Sequence, residues 1–280
     1  MPDFLLEIGC EEIPARMIDG ARQELQRRVS DLLQREGLLS PDNLRVATDA
    51  SSTVPAAVQS FSTPRRLAVL AHGIARAQAD TEEQVTGPAV KAAFKDGQPT
   101  VAAQKFAEKV GLPLDQIERV TTPKGEYLSA RVKKHGRTAT EILSEALPKE
   151  MTGLYWAKSM YWRPGRTSVR FVRPVRWIAA MLDGEPVPVS LFGIEAARES
   201  RGHRTLGKTV SFSSPAMYAE TLKQAAVLAS PQEREHVIRK ALDAVTRTIP
   251  GARWREDDPL LNKVVNLTEW PSIILGSFDP

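Results

Sequence analysis

The residues best suited to chemistry in this sequence are cationic and aromatic, and they lie close together. From Met151 to Leu182 there is no Asp or Glu. The same stretch holds Lys158, Arg163, Arg166, Arg170, Arg173 and Arg176, interleaved with Tyr155, Trp156, Tyr161, Trp162, Phe171 and Trp177. Guanidinium groups engage phosphates through two parallel hydrogen bonds, and aromatic rings are platforms for unpaired nucleotides. Arg65 and Arg66 follow Thr63-Pro64 at the start of an expected strand, and Gly202-His203-Arg204 adds a polar loop. Arg65, Arg66, Lys158, Arg163, Arg166, Arg170, Arg173, Arg176, His203 and Arg204 are therefore the candidate contacts to a polyanion. In the competing reading the aromatics belong to a core and the strand arginines pair with acids elsewhere in the chain.

Covalent and metal chemistry find less support. Cys10 stands beside Glu11 and Glu12, and neighbouring carboxylates raise a thiol pKa, the wrong direction for a nucleophile. His72, His135, His203 and His236 are scattered, with no i,i+4 pair and no Cys at ligand spacing, so no zinc site is expected. A Gly-x-Ser-x-Gly elbow and a Gly-x-Gly-x-x-Gly fingerprint are missing. Glu11 and Glu12 are adjacent, so on a strand they would point to opposite sides. On the turn before Pro14 they would instead stabilise a helix N-terminus, the alternative being a ligand or partner contact. No catalytic, cofactor or metal site is expected in this chain.

These residues need a framework. Phe4 to Ile8 reads as a strand carrying one acid, Glu7. Pro14 suits the first turn of a helix whose apolar face is Ile18, Ala21, Leu25, Val29, Leu32 and Leu33, stopped by Gly37. Ala57–Phe61 and Arg66–Ile74 read as strands around Ser62-Thr63-Pro64. Helices are expected over Ala89–Phe94 and Thr100–Val110, then a hairpin of Ile117–Val120 and Tyr127–Val132 around Pro123-Lys124-Gly125. Thr138 with Glu141 forms a capping box. Val169 to Leu182 is strand-like with a break at Pro174, and Asp183-Gly184 turns it back toward Val187, Val189 and Leu191. Ser214-Pro215 opens a helix, and Ser230-Pro231-Gln232-Glu233 combines a capping box with Pro at the first helical position.

Hairpins outnumber strand–helix–strand units, so the class is α+β, with mixed, mostly antiparallel sheets, packed helices and more than one lobe. The chain has 280 residues, with a soft boundary expected between 1–150 and 151–280. A single cysteine forms no internal disulfide and favours a reducing compartment. No signal peptide is read, and the longest apolar run, Trp177 to Leu182, is far below the roughly 20 residues of a membrane span. A soluble, intracellular, globular protein is expected. The net charge of +4 and the pI of about 9.2 hint only mildly at an anionic partner.

Six ordered motifs resemble the bacterial glycyl-tRNA synthetase beta-subunit family. They are Leu5-Leu6-Glu7-Ile8-Gly9-Cys10-Glu11-Glu12-Ile13-Pro14, Ser62-Thr63-Pro64-Arg65-Arg66-Leu67-Ala68, Gly87-Pro88, and Phe171-Val172-Arg173-Pro174-Val175-Arg176-Trp177. Gly202-His203-Arg204 comes next, and Glu269-Trp270-Pro271 with Gly276-Ser277-Phe278-Asp279 closes the series. The family usually has Thr in place of Cys10 and Arg-Trp in place of Tyr161-Trp162. Its members continue past position 280 into helical and anticodon-binding domains, so the resemblance marks this chain as an N-terminal fragment.

The resemblance implies a division of labour. A separate alpha subunit carries the class II active site and activates glycine with ATP and Mg²⁺. The beta subunit supports tRNA-Gly recognition and assembly of an α2β2 heterotetramer in the cytoplasm. The Gly-rich stretch ending in Arg that a class II synthetase uses to bind ATP does not stand here. Lys158-Ser159-Met160 and Gly202-His203-Arg204 echo class I signatures only superficially. Two alternatives remain open on the sequence: a structural assembly module with tRNA bound elsewhere, and an editing-like domain.

Overall fold

The N-terminal apolar run becomes the middle of a sheet. A computed structural model describes residues 1–39, 57–95, 97–123, 125–162 and 170–276. Strand β1 (Phe4–Cys10) is buried along its whole length. Helix α1 (Ala15–Arg35) follows, then the hairpin of β2 (Val58–Thr63) and β3 (Arg66–Ala71). The next segment holds β4 (Thr81–Ala89), α2 (Val90–Ala93), β5 (Phe94–Lys95), β6 (Gln98–Pro99), α3 (Val101–Val110), β7 (Glu118–Thr122) and β8 (Gly125–Lys134). Helix α4 (Ala139–Thr152) leads to β9 (Met160–Tyr161), β10 (Arg170–Phe171), β11 (Val175–Leu182) and β12 (Glu185–Pro186). Short strands β13 (Ser190–Leu191), β14 (Ile194–Glu195), β15 (Glu199–Arg201) and β16 (Thr209–Ser211) precede helices α5 (Tyr218–Gln224), α6 (Pro231–Thr246) and α7 (Asp258–Val265). Helices and mostly antiparallel sheets mix throughout, which is the α+β class.

The main sheet has the order β12-β11-β1-β3-β2, every neighbour antiparallel. Strand side chains alternate between faces, so Phe4, Leu6, Ile8 and Cys10 point to one side. There they meet Ile18, Leu25, Val29 and Leu32 of α1 and Ile142, Leu143 and Leu147 of α4. Leu5, Glu7 and Gly9 point to the other side. That face joins Ala68 and Leu70 of β3 and Ala179 and Met181 of β11 to Phe212, Tyr218 and Leu222. Glu7 is thus a single acid in an otherwise apolar row.

Local signals place the helices. The Thr138–Glu141 capping box opens α4, and the Ser230 side chain accepts from the Glu233 amide at the start of α6. Asp183 takes φ 48° in the two-residue turn that pairs Leu182 with Glu185. Pro174 interrupts the expected 169–182 strand, leaving β10 and β11 as separate pieces.

The chain divides into two compact units, residues 1–76 with 138–280, and residues 77–137. This differs from a division at 150/151, because β11 runs alongside β1 from Phe4↔Leu182 to Cys10↔Val175 and ties the C-terminal half to the first strand. The smaller unit has a β4-β8-β7 sheet and a core of Ala93, Ala103, Phe106, Val110, Leu128 and Ala130. In the larger unit the Ala139 amide donates to the Arg76 carbonyl at 2.8 Å, so the points where the chain leaves and re-enters that unit are adjacent. Among the described residues, no helix is long and apolar enough to cross a membrane.

Candidate nucleic-acid interface

The site begins with a buried polar cluster on the second face of the main sheet. In register, Gly9 of β1 lies between Arg66 of β3 and Trp177 of β11. A Cβ at Gly9 would fall 1.8 Å from Cε2 of Trp177, so only glycine lets the indole lie across the strand. The guanidinium groups of Arg66 and Arg201 lie 5.6 and 5.1 Å from that ring. Trp177 Nε1 and Ser200 Oγ both donate to Oε1 of Glu7. Tyr218 donates to Oε2 at 2.6 Å, and Arg66 Nη1 lies 3.6 Å from the same oxygen.

A second acid completes the charge balance. Arg66 Nη2 donates to Glu269 Oε1 at 3.2 Å and Arg65 Nη2 to Oε2 at 2.9 Å, while Thr63 Oγ1 donates to Oε1 at 2.7 Å. Burial alone would raise the Glu269 carboxyl, but the Arg66 and Arg65 charges outweigh it and hold the group below the usual carboxylate range. Burial disfavours the charged Arg66, yet Glu7 and Glu269 raise its pKa above the ordinary arginine value. Burial, then the charge of Glu7, pushes the Tyr218 hydroxyl well above its ordinary range. Two carboxylates thus face two guanidiniums, the arrangement that makes buried charge tolerable.

The same arginines hold a surface loop. Arg66 Nη2 donates to the Arg201 carbonyl at 2.7 Å, and Arg65 Nη2 to the Gly202 carbonyl at 2.8 Å. The Gly202 amide bonds the Lys208 carbonyl at 2.9 Å and the His203 amide bonds Ala225 at 2.9 Å. A Cβ at Gly202 would approach the Lys208 carbonyl oxygen to 2.5 Å, which explains glycine there. His203 Nδ1 accepts from the amides of Thr205 and Leu206 at 3.3 and 3.2 Å, so in the neutral ring the proton sits on Nε2.

The loop and the start of β11 border an open cavity of about 400 Å³. Among the described residues, Arg65, Arg176, Arg201, His203, Arg204 and Lys208 line it, and Glu11 is the one acid on its wall. Glu11 Oε2 accepts from Arg204 Nη2 at 2.8 Å, and its Oε1 lies 3.3 Å from Arg176 Nε. Glu12 lies 3.8 Å from Arg204 Nη1. Lys208 has no carboxylate partner among the described residues. Cations concentrated in a concave wall focus a positive potential outward, which favours a phosphate-bearing ligand.

Of the ten candidate residues, Arg65, Arg176, His203 and Arg204 come together on this wall. Arg65 and Arg66 are both buried, Arg65 at the inner wall of the cavity, and carboxylate and carbonyl acceptors take up donors of each. Glu7 and Glu269 are the anions that face them in the fold. Arg173 is half-buried and donates to the Val172 carbonyl at 3.0 Å. Lys158 and Arg170 are exposed outside the cavity lining, with Arg170 bonded to Ser159 and 5.9 Å from the Tyr161 ring. Arg163 and Arg166 lie outside the described residues, as do Lys124 and Ser277–Asp279. Arg201 and Lys208 were missed, although they flank Gly202-His203-Arg204 in sequence.

The aromatics divide between core and surface. Phe171 is buried against Trp156 and Phe192, whereas Tyr155 and Tyr161 are exposed. Glu11 and Glu12 pair with arginines rather than serving α1, whose first turn carries no acid. Burial, reinforced by Glu11, pushes the Cys10 thiol up to about 12. Among the described residues no group of three His, Cys, Asp or Glu side chains could hold a metal ion.

Comparison with known proteins identifies the pattern. Residues 4–280 match the family model described as glycyl-tRNA synthetase beta subunit. The chain is 54% identical over its full length to the glycine–tRNA ligase beta subunit of Acidobacterium capsulatum, covering 38% of that protein. It is 39% identical to the beta subunit of Myxococcus xanthus, with 99% of this chain and 37% of the relative aligned. It is 36% identical to that of Gloeothece citriformis, over 100% of this chain and 37% of the relative. The chain therefore spans somewhat over a third of the length of these relatives.

Proposed function

The chain belongs to the glycyl-tRNA synthetase beta-subunit family, and from that premise we propose that it is the non-catalytic part of a glycine–tRNA ligase that contributes to binding tRNA-Gly. The catalytic alpha subunit is its partner in an α2β2 assembly and supplies the ATP- and Mg²⁺-dependent activation of glycine. The assembly works in the cytoplasm. The observation that carries this reading is the gathering of Arg176, Arg201, Arg204, Lys208 and His203 around one cavity with a single acid on its wall. Such a wall suits a phosphate backbone, because each phosphate neutralised by Lys or Arg releases counterions. Lys158, Arg170 and Arg173 extend the cationic surface of the same segment.

The test is tRNA-Gly binding by the assembled ligase across a salt series, comparing wild type with Arg176→Gln and Arg204→Gln. Each variant should weaken binding and reduce the slope of log affinity against log salt by about 1. Unchanged affinity and slope in both would remove the cavity from the RNA surface. A second reading, favoured by the burial of Arg65 and Arg66 against Glu269, makes this part of the subunit an assembly module with tRNA held elsewhere. The unchanged result would select it.

A further inference from the structure

The arginine pair at the cavity mouth already holds an anion of its own. Glu11 extends from the end of β1, and its two carboxylate oxygens engage two arginines that are 28 residues apart in sequence (Arg176 and Arg204) at 3.3 and 2.8 Å. A carboxylate shared between two guanidinium groups uses the donors that would otherwise grip two oxygens of a phosphate. We propose that the Arg176–Arg204 pair is a seat for one backbone phosphate of RNA, and that Glu11 is its internal stand-in, displaced when RNA binds. This rests on the RNA-binding reading above and adds to it the position of one phosphate and a competitor for it.

Three features support the exchange. All three side chains are substantially exposed, between 39% and 54%, so the carboxylate leaves into water without creating a buried charge. Exposed ion pairs are weak, so an RNA phosphate need overcome only a small preference for Glu11. The arginines also keep fixed bases when Glu11 leaves. Arg176 is anchored in β11, and Arg204 follows a loop held by Arg65 and Arg66 through the carbonyls of Gly202 and Arg201. Glu12 is not equivalent, since it approaches only Arg204, at 3.8 Å, and does not line the cavity.

The experiment measures tRNA-Gly affinity of the assembled ligase carrying Glu11→Gln, Glu12→Gln, Arg176→Gln, Arg204→Gln, and Glu11→Gln combined with both arginine substitutions. Glu11→Gln should bind about two- to five-fold more tightly, the range that corresponds to losing an exposed ion-pair competitor. Glu12→Gln should change affinity less, and the gain from Glu11→Gln should vanish when both arginines are replaced. Weaker binding by Glu11→Gln would overturn the proposal by showing that the carboxylate braces the arginines for RNA. Equal gains from Glu11→Gln and Glu12→Gln would also overturn it, since a general charge effect would then suffice. If the arginine variants bind as wild type, the RNA surface itself fails along with this proposal. Arginine effects without a Glu11 gain defeat the stand-in alone.

Discussion

Replacing Glu269 with Gln removes one charge from a buried cluster. The two shapes are nearly identical, so the change isolates the charge. Oε1 of Glu269 accepts from Thr63 and Arg66, and Oε2 accepts from Arg65. In Glu269→Gln one oxygen becomes an amide group that faces a guanidinium donor, and both arginines lose their shared anion. Removing one partner of a buried pair costs about 3–5 kcal/mol, and Gln keeps one acceptor, so the lower end, about 3 kcal/mol, is expected. For a unit of this size that corresponds to a Tm about 6–12 °C lower. The pH dependence has a definite sign. The Glu269 pKa is depressed in the folded chain, so its contribution is complete above the unfolded value of about 4.3 and is lost as pH falls through the depressed value. The gap between wild type and Glu269→Gln should therefore be constant from pH 7 to pH 5 and shrink below about pH 4. Urea denaturation followed by tryptophan fluorescence at several pH values measures it. A difference under about 0.5 kcal/mol at pH 7, the scale of an ordinary surface change, or a gap that widens in acid, would refute the reasoning.

Three further outcomes follow from the same region. Gly9→Ala places a methyl group against the Trp177 ring; it should destabilise by about 1–3 kcal/mol and alter the near-UV circular dichroism of tryptophan, and an unchanged spectrum would count against the packing. Tyr218→Phe removes the donor to Glu7 at 2.6 Å and should cost about 1.5–3 kcal/mol in chemical denaturation, as a hydrogen bond to a charged group does. With its thiol pushed up to about 12, Cys10 should react with iodoacetamide at pH 8 at least about 100-fold more slowly in the folded chain than in urea. Comparable rates would show the thiol to be accessible.

Much of the framework was legible because it follows local rules. The short apolar run of β1, the apolar stripe of α1 and the Ser230-Pro231 helix start each declare themselves within a few residues. Strand β4 did not, since Thr81, Glu82, Glu83 and Gln84 are exposed and carry no apolar alternation. Helix α7 is short, and its cap, Asp257 accepting from Leu260, is a weak signal without its neighbours. Long-range pairing was invisible as well. Nothing in residues 1–10 indicates that β11 lies alongside, and the two units follow from that pairing. At the site, Arg176, His203 and Arg204 could be singled out by type and composition. The carboxylate partners of Arg65 and Arg66 could not be read, because a guanidinium binds a phosphate and a carboxylate by the same geometry, and only the fold brings Glu7 and Glu269 to them. Glu11 was visible as an acid, but its arginine partners come from 165 and 193 residues further on.

The span between Arg66 and Glu269 also orders events during synthesis. These partners are 203 residues apart, and a ribosome adding about 5–20 residues per second needs roughly 10–40 s to cover that distance. In the first part of this interval β1 and β3 can pair, but the edge that receives β11 stays open until residues 175–182 are made, and Glu7 gains Trp177, Ser200 and Tyr218 only in turn after that. The nascent sheet therefore waits as an unfinished template with one acid on an apolar face. Completion arrives only with the Glu269-Trp270-Pro271 segment, which closes the cluster last. A translational pause before β11 would prolong the open-edge stage, and a chaperone that covers sheet edges would act there.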